Sequence, residues 1–132
     1  MTLRRLMLDT HVLLWALTEP ARLSEQVRIA AADRRTELFV SAASAWEIAT
    51  KQRLGKLPQA EVLVRAYRQH LTRLAVESVP VTDEHGLLAG SMEWQHRDRF
   101  DRMIAAQCMT ESLPLATADE AFQSVAGVQI LW

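Results

Sequence analysis

Four acidic residues lie where a predicted strand has just ended or a predicted helix begins, which are the positions from which side chains reach ligands in an open parallel sheet. They are Asp9, Glu47, Asp101 and Asp119. Carboxylates held a few ångströms apart raise one another's pKa, and a divalent cation removes that cost. Because the set offers only oxygen ligands, it favours Mg²⁺ or Mn²⁺, whereas zinc prefers His or Cys. The sequence therefore predicts a metal site built from these four residues.

Each acid also has a purely structural interpretation. Asp9 and Asp119 are placed to be helix N-caps, Asp101 is a favourable charge in a first helical turn, and residues 44–47 (SAWE) match the capping box S-x-x-E. Taken singly, capping explains each acid as well as metal binding does. Capping explains the four acids less well as a set, since the caps of unrelated helices have no reason to lie together at one edge of the sheet. Asp98, in contrast, is best interpreted as an N-cap.

A cluster of carboxylates with a metal suits the hydrolysis of phosphodiesters. Metal ions held by carboxylates lower the pKa of a bound water and stabilise both the attacking and the leaving oxygen. The acids themselves would not attack the phosphorus. The sequence has no Gly-rich phosphate loop and no G-x-S-x-G nucleophile elbow, so neither a P-loop enzyme nor a serine hydrolase is indicated.

Short apolar runs alternate with helical patterns along the whole chain. The runs are continuous, which is typical of strands covered on both faces. They occupy residues 6–8, 38–40, 76–81, 113–116 and 128–131. The helical patterns occupy residues 11–17, 24–34, 44–54, 61–74, 83–94 and 100–111. Parallel strands need crossover helices, so we predict an α/β fold, a three-layer α/β/α sandwich with a central parallel sheet. Residues 55–58 (GKLP) should divide the stretch 42–74 into a helical hairpin, and Trp46 is assigned to the apolar stripe of its first helix.

Composition and charge place the chain among ordinary globular proteins. It has 132 residues, of which 49% are hydrophobic and 23% charged, and no repeat or linker, so we expect one domain over residues 1–132. A net charge of −1 does not by itself indicate a nucleic-acid binder. The single Cys108 cannot form an internal disulfide, no apolar stretch is long enough to span a membrane, and Asp9 interrupts the run that an export signal would need. A cytoplasmic location is the simplest expectation.

At these acids the sequence resembles the PIN-domain ribonucleases, and within them the VapC toxins of bacterial type II toxin–antitoxin systems. The resemblance covers essentially the whole chain. It is carried by residues 6–11 (LMLDTH), 41–49 (SAASAWEIA), 96–107 (HRDRFDRMIAAQ), 113–119 (LPLATAD) and 128–132 (VQILW). One such stretch alone would carry little weight, but all of them in this order and at this spacing are specific.

The resemblance implies a PIN-like fold and a Mg²⁺- or Mn²⁺-dependent endoribonuclease that leaves a 5′-phosphate and a 3′-hydroxyl. In that comparison Asp9 and Asp101 look like direct metal ligands, while Glu47 and Asp119 would hold metal-bound waters or a second ion. Thr117 matches a position that often carries Ser or Thr; it would orient a water or satisfy backbone groups at a strand end. The resemblance also implies an RNA substrate, a cognate VapB-type antitoxin as partner, and a homodimer that joins it in a larger complex.

Cations near the predicted pocket are the candidates for RNA contact. The nearest group is Arg97, Arg99 and Arg102, and a second group is Lys51, Arg53 and Lys56. Lys51 lies one helical turn beyond Glu47 on the same face, so it could pair with that carboxylate or meet a phosphate. Arg99 departs from the family pattern, in which many relatives have a proline that fixes the first helical residue.

Two other interpretations of the acidic pocket stay open from the sequence. A phosphoacceptor receiver domain has a similar length, a parallel sheet and a Mg²⁺ pocket, but it needs an acceptor Asp after the third strand and a lysine late in the chain. Here Asp83 is a poor acceptor and no lysine follows Lys56. The second is a catalytically idle PIN scaffold that only binds its partner, and the four intact acids argue against it.

Overall fold

Five short strands form one sheet in the computed structural model, which describes residues 5–132. They are β1 (Arg5–Leu8), β2 (Glu37–Ser41), β3 (Val76–Val79), β4 (Leu115–Ala116) and β5 (Ile130–Leu131). Their order across the sheet is β3-β2-β1-β4-β5, and all neighbouring pairs are parallel. The predicted strands and their parallel arrangement are therefore confirmed. Residues 1–4 lie outside the described part of the chain. Both the predicted domain and the prediction that the chain has no export signal include these four residues.

Seven helices connect these strands within residues 5–132. They are α1 (Thr10–Thr18), α2 (Glu25–Ala32), α3 (Ala42–Arg53), α4 (Glu61–Arg65), α5 (Tyr67–Leu74), α6 (Asp83–Ser91) and α7 (Arg99–Glu111). Short 3₁₀ turns occupy Pro20–Arg22, Pro58–Ala60 and Glu120–Ser124. Among the helices of the described chain, none has the length and apolar character that a membrane crossing requires.

Strands β1, β2 and β4 are buried on both faces, which explains why their apolar residues run without alternation. Leu6 and Leu8 of β1 belong to one hydrophobic core, which also contains side chains of α1 and α2. Met7, between them, belongs to a second core with side chains of α7. Since successive side chains of a strand point to opposite faces, β1 is covered on both sides. The predicted three-layer sandwich is confirmed.

The helical hairpin predicted around residues 55–58 is present. α3 ends at Arg53, Gly55 has a φ of +75°, and Pro58 begins a 3₁₀ turn. The left-handed φ suits glycine because glycine has no Cβ, and proline suits the first position of a helical turn.

Two predicted helices differ from the structure. The single helix predicted over residues 61–74 is divided into α4 and α5 at Ala66, whose φ of −135° is not helical. No Gly or Pro stands at this break, so tertiary packing overrides the local helix propensity there. The helix predicted over residues 83–94 ends already at Ser91.

Candidate active site

The order of the strands reverses between β1 and β4, and this switch point opens a crevice at their carboxyl ends. The backbone N–H of Asp9 donates to the carbonyl of Ala116 at 3.0 Å, which extends the pairing of the two strands beyond their ends. The residues that follow β1 and β4 are therefore held side by side. β2, which precedes α3, is the other neighbour of β1.

Asp9 is the N-cap of α1 and also belongs to the crevice. Its Oδ1 accepts a hydrogen bond from the backbone N–H of Thr10 at 2.8 Å, and its Oδ2 accepts one from the Thr117 hydroxyl at 2.7 Å. Burial raises the pKa of this carboxyl above 3.8; the two hydrogen bonds oppose that rise, and the charge of Glu47 adds to it. The predicted N-cap is confirmed, and capping leaves Asp9 in electrostatic contact with Glu47.

Glu47 lies in the second turn of α3 and is only 3% exposed. Its Oε2 forms an ion pair with the Lys51 ammonium one turn later, whereas its Oε1 is buried without a hydrogen-bond partner among residues 5–132. One hydroxyl pair, Thr10 with Ser44 at 2.8 Å, joins α1 to α3 close by. Glu47 is thus a buried acceptor with one oxygen still unsatisfied.

The capping box predicted over residues 44–47 is wrong. The N-cap of α3 is Ser41, whose hydroxyl accepts from the backbone N–H of Ala43 at 3.0 Å. Ser44 and Glu47 consequently lie inside the helix. Since the carboxylate of Glu47 is not used as a cap, the capping interpretation of this acid is removed.

The Lys51 ammonium stays charged although it is half-buried. Burial lowers its pKa, but the hydrogen bond and the charge of Glu47, with the charges of Asp98 and Asp101, outweigh burial and raise the pKa above 10.5. Of the two roles predicted for Lys51, pairing with Glu47 is confirmed.

Asp101 lies in the first turn of α7. The N-cap of this helix is Asp98, as predicted, and its Oδ1 accepts from the backbone N–H groups of Phe100 at 2.9 Å and of Asp101 at 3.0 Å. The Oδ2 of Asp101 is 2.7 Å from Nε2 of His96. The side chain of Asp101 is 13% exposed, so it is largely shielded from water.

The three acids interact electrostatically. Burial is the main cause that raises the pKa of Asp101 from 3.8 to about 7, and the hydrogen bond from His96 opposes it. The charges of Asp98, Asp9 and Glu47 raise it further. The mutual repulsion predicted for the acidic cluster is therefore present for Asp9, Glu47 and Asp101.

The fourth predicted acid, Asp119, lies beside this group and is exposed. Its Oδ1 accepts from the backbone N–H of Ala121 at 2.9 Å and so caps the 3₁₀ turn Glu120–Ser124. Its own backbone N–H donates to the Thr117 hydroxyl at 3.0 Å. Because Thr117 also donates to Asp9, it connects Asp119 to the buried acids through one hydroxyl.

The family of the chain follows from a comparison of sequences. The family model of the PIN domain matches residues 6–128. The chain belongs to the PIN domain family. This membership replaces the receiver-domain interpretation of the acidic crevice. No curated protein sequence matches the chain.

Solved structures share the PIN domain fold at low sequence identity. A toxin–antitoxin complex from Klebsiella pneumoniae aligns with a TM-score of 0.67 and 13% identity over 96% of each chain. VapBC2 from Rickettsia felis, bound to a DNA fragment from the promoter, aligns with a TM-score of 0.63 and 12% identity over 96% of this chain and 97% of that one. FitAcB from Neisseria gonorrhoeae aligns with a TM-score of 0.59 and 22% identity over 96% of each chain. At these identities the similarity establishes the fold.

The acids of this PIN domain fit a hard divalent cation by charge and donor chemistry. They supply oxygen ligands, and Oε1 of Glu47 is a buried acceptor that no protein group satisfies. Over residues 5–132, no three His, Cys, Asp or Glu side chains converge closely enough to form a ready group of metal ligands. Protein partners hold the carboxylates in this arrangement, namely Lys51, His96 and Thr117. A cation would have to compete with these partners for the acids.

Two of the three arginines predicted to contact RNA are exposed, and the third is engaged within the fold. Arg97 and Arg99 are exposed. The Arg102 guanidinium donates four hydrogen bonds of 2.7–2.9 Å to the backbone carbonyls of Ala89, Met92, Trp94 and His96. These bonds fix the segment between α6 and α7, which precedes Asp101. Arg102 therefore has a structural task that its position in the sequence does not reveal.

Sequence reasoning left two side chains beside the acids out of the site. His96 has no place in the predicted site, but its hydrogen-bond partner is Asp101 itself. Trp46 was assigned to the apolar stripe of α3, but it is 55% exposed. Its ring contacts Phe100 edge-on at 4.7 Å between centroids. Both residues stand close to an acid in the sequence, which is the signal that would have drawn attention to them.

Proposed function

We propose that this PIN domain, over residues 1–132, is a metal-dependent endoribonuclease toxin of the VapC type that acts in the cytoplasm. One observation carries the proposal: Asp9, Glu47 and Asp101 interact electrostatically near the switch point of the sheet, and one buried oxygen of Glu47 has no partner among the described residues. Membership of a family whose members are generally nucleases supports it. Repelling acids in a water-poor crevice are costly unless a cation joins them, and hydrolysis of phosphodiesters is the chemistry that such a cation serves.

The residues of the crevice divide into proposed ligands and supporting groups. Asp9 and Asp101 would hold Mg²⁺ or Mn²⁺ directly, and Glu47 and Asp119 would hold water or a second ion. When bound, the ion supplies Lewis-acid activation of water and neutralises charge on the phosphate. Asp101 must lose its proton before it can act as a ligand.

Supporting side chains keep the acids in position. The Thr117 hydroxyl donates to Oδ2 of Asp9 and accepts from the backbone of Asp119, so it fixes two of the proposed ligands relative to each other. We assign it as a positioning residue. Lys51 balances the negative charge of Glu47, and His96 forms a hydrogen bond with Asp101.

RNA is the proposed substrate, cut so that a 5′-phosphate and a 3′-hydroxyl remain. Arg97 and Arg99 are the proposed phosphate contacts, because both are exposed near the first turn of α7 that carries Asp101. Arginine suits such contacts through its planar, bidentate guanidinium. Arg102 is left out of this set because its guanidinium is engaged with backbone carbonyls.

We further propose a VapB-type antitoxin and a second copy of the chain as partners. The structures of similar fold include toxin–antitoxin complexes from several bacteria, which supports an antitoxin partner. Sedimentation of the purified chain, alone and after co-expression with a candidate antitoxin, should give a dimer and a larger inactive complex. A monomer whose activity no such partner reduces would contradict this assignment.

Cleavage of RNA by the purified protein tests the proposed function. Mn²⁺ or Mg²⁺ should be required, excess chelator should stop the reaction, and Asp9→Asn should abolish it. Glu37→Gln is the matched control, because Glu37 is exposed and stands at the amino end of β2, whereas the crevice lies at the carboxyl ends of the strands. Cleavage that persists in chelator or in Asp9→Asn would refute the proposal.

A further inference from the structure

A groove of about 550 Å³ is lined mainly by residues of α3, α6 and α7, and of its lining residues the function proposed above uses only Arg97 and Arg99. The residues that line it include Trp46, Phe100, Ala43, Ala89, Arg97 and Arg99. Small residues and two aromatic rings therefore form most of a surface on which the only charged groups are arginines. A cavity of this size and largely apolar character is typical of a ligand site.

The groove and the crevice are built on the same two helices. Trp46 directly precedes Glu47 on α3, and Phe100 directly precedes Asp101 on α7. The edge-on contact of the two rings, with 77° between their planes, joins these helices at that point. The groove therefore lies on the same helical turns that carry Glu47 and Asp101.

Trp46 offers an ordered aromatic surface to this groove. The contact with Phe100 at 4.7 Å holds the indole, while 55% of the residue remains exposed. A tryptophan on the surface usually buries most of its apolar area, so a fixed and half-exposed indole is a platform to which a second flat ring can be added.

The charges around the groove select the kind of molecule. Within residues 5–132, no acid lines the groove and neither Arg97 nor Arg99 forms an ion pair. The Arg99 guanidinium lies 6.0 Å from the centre of the Trp46 ring. A basic peptide would be repelled here. A chain that carries negative phosphates and flat rings is complementary to both the arginines and the indole.

We propose that Trp46 stacks on an unpaired base of the RNA substrate, next to the phosphate that is cut, and that Arg97 and Arg99 contact the adjoining phosphates. The inference rests on the proposed function, since it names a binding subsite for the same reaction. Aromatic side chains bind unpaired bases by stacking, and this contact requires a single-stranded segment or loop. The groove therefore restricts the substrate to RNA with unpaired bases at the cleavage site.

Binding of two fluorescein-labelled probes tests this subsite, in chelator so that no cleavage occurs. The first is a short single-stranded oligoribonucleotide of mixed sequence, and the second is a ribose-phosphate oligomer of the same length without bases. Trp46→Ala should weaken binding of the first probe about 5- to 100-fold and leave the second unchanged. Trp46→Tyr should retain most of the binding, which guards against a variant that merely folds poorly.

Matched controls separate stacking from charge. Leu87→Ala removes an apolar side chain of α6 that is 74% exposed and does not line the groove, and it should leave both probes unaffected. Arg99→Ala should weaken the binding of both probes to the same extent, because both carry phosphates.

Three outcomes would overturn the inference. Trp46→Ala could bind the first probe as tightly as wild type does, or its binding of both probes could weaken equally. It could also lose binding together with a change in sedimenting mass, which would make the groove a contact between copies of the chain. If wild type cuts RNA with Mn²⁺ and Trp46→Ala is indistinguishable from it, only the subsite fails. If wild type neither binds the first probe nor cuts RNA, the proposed function fails as well.

Discussion

Removal of the negative charge of Asp101 tests whether the acids of the crevice destabilise the metal-free fold. Asp101→Asn keeps the size of the side chain and an oxygen that can accept from His96. The Asp101 carboxyl has a pKa of about 7 in the folded chain, whereas its ordinary pKa is 3.8. At about pH 8, where the carboxyl is charged in both states, this difference lowers the free energy of unfolding of wild type by roughly 4 kcal/mol. A weaker hydrogen bond with His96 returns about 1 to 3 kcal/mol of that. We expect Asp101→Asn to raise the free energy of unfolding by about 1 to 3 kcal/mol.

The sign of the pH dependence follows from the direction of the shift. The folded chain holds the Asp101 proton between pH 3.8 and about 7, whereas the unfolded chain has released it. The favourable contribution of this group is therefore complete below pH 3.8 and is lost as the pH rises to about 7. The advantage of Asp101→Asn should be largest above that range and should shrink as the solution is acidified.

Urea unfolding in chelator, at several pH values, measures this difference, and Glu37→Gln serves as the charge-matched control. Addition of Mn²⁺ should then stabilise wild type, by about 1.4 kcal/mol at ten times the dissociation constant, and should stabilise Asp101→Asn much less. A loss of more than about 1 kcal/mol in Asp101→Asn at high pH would refute the reasoning, because it would mean that Asp101 serves chiefly as a favourable charge in the first turn of α7.

Three further substitutions test the supporting groups. Lys51→Met leaves a buried carboxylate without its cation and should lower the free energy of unfolding in urea by about 2 to 4 kcal/mol. Mn²⁺ should then stabilise this variant more than it stabilises wild type, and equal effects of Mn²⁺ would contradict a cation site there. Arg102→Met should lower the free energy of unfolding by at least about 2 kcal/mol, because four carbonyls lose a charged donor. Arg99→Ala should change the free energy of unfolding by no more than about 0.5 kcal/mol in the same assay. Equal losses in the two variants would contradict the structural task of Arg102. Thr117→Val should reduce the kcat of RNA cleavage about 10- to 100-fold, because Asp9 loses the hydroxyl that holds it. Thr117→Ser should retain most of the wild-type kcat. Full activity in the valine variant would contradict the positioning role.

The sheet could be predicted from the sequence because its strands are short continuous apolar runs between helical patterns. The break at Ala66 could not, since alanine favours helix and only packing of the chain divides α4 from α5 there. The early end of α6 at Ser91 depends in the same way on a distant residue. Arg102 binds the carbonyls of the following segment, a contact that no local pattern shows.

The acids of the candidate site were predictable because each follows a strand or begins a helix. In the structure Asp9, Glu47 and Asp101 interact electrostatically, whereas the Asp119 side chain caps a 3₁₀ turn. Capping and pocket membership are compatible for Asp9, because a carboxylate has two oxygens and one of them is enough for the cap. The roles of His96 and Trp46 depend on where α7 packs against α3, which the sequence does not specify.

The most direct measurement for the central claim is anomalous diffraction from a crystal of the protein grown with Mn²⁺. The account predicts an anomalous peak within ligand distance of Asp9 and Asp101, with Glu47 released from Lys51 or bound through water. Crystals that show no peak there, with the carboxylates still paired to Lys51 and His96, would contradict it.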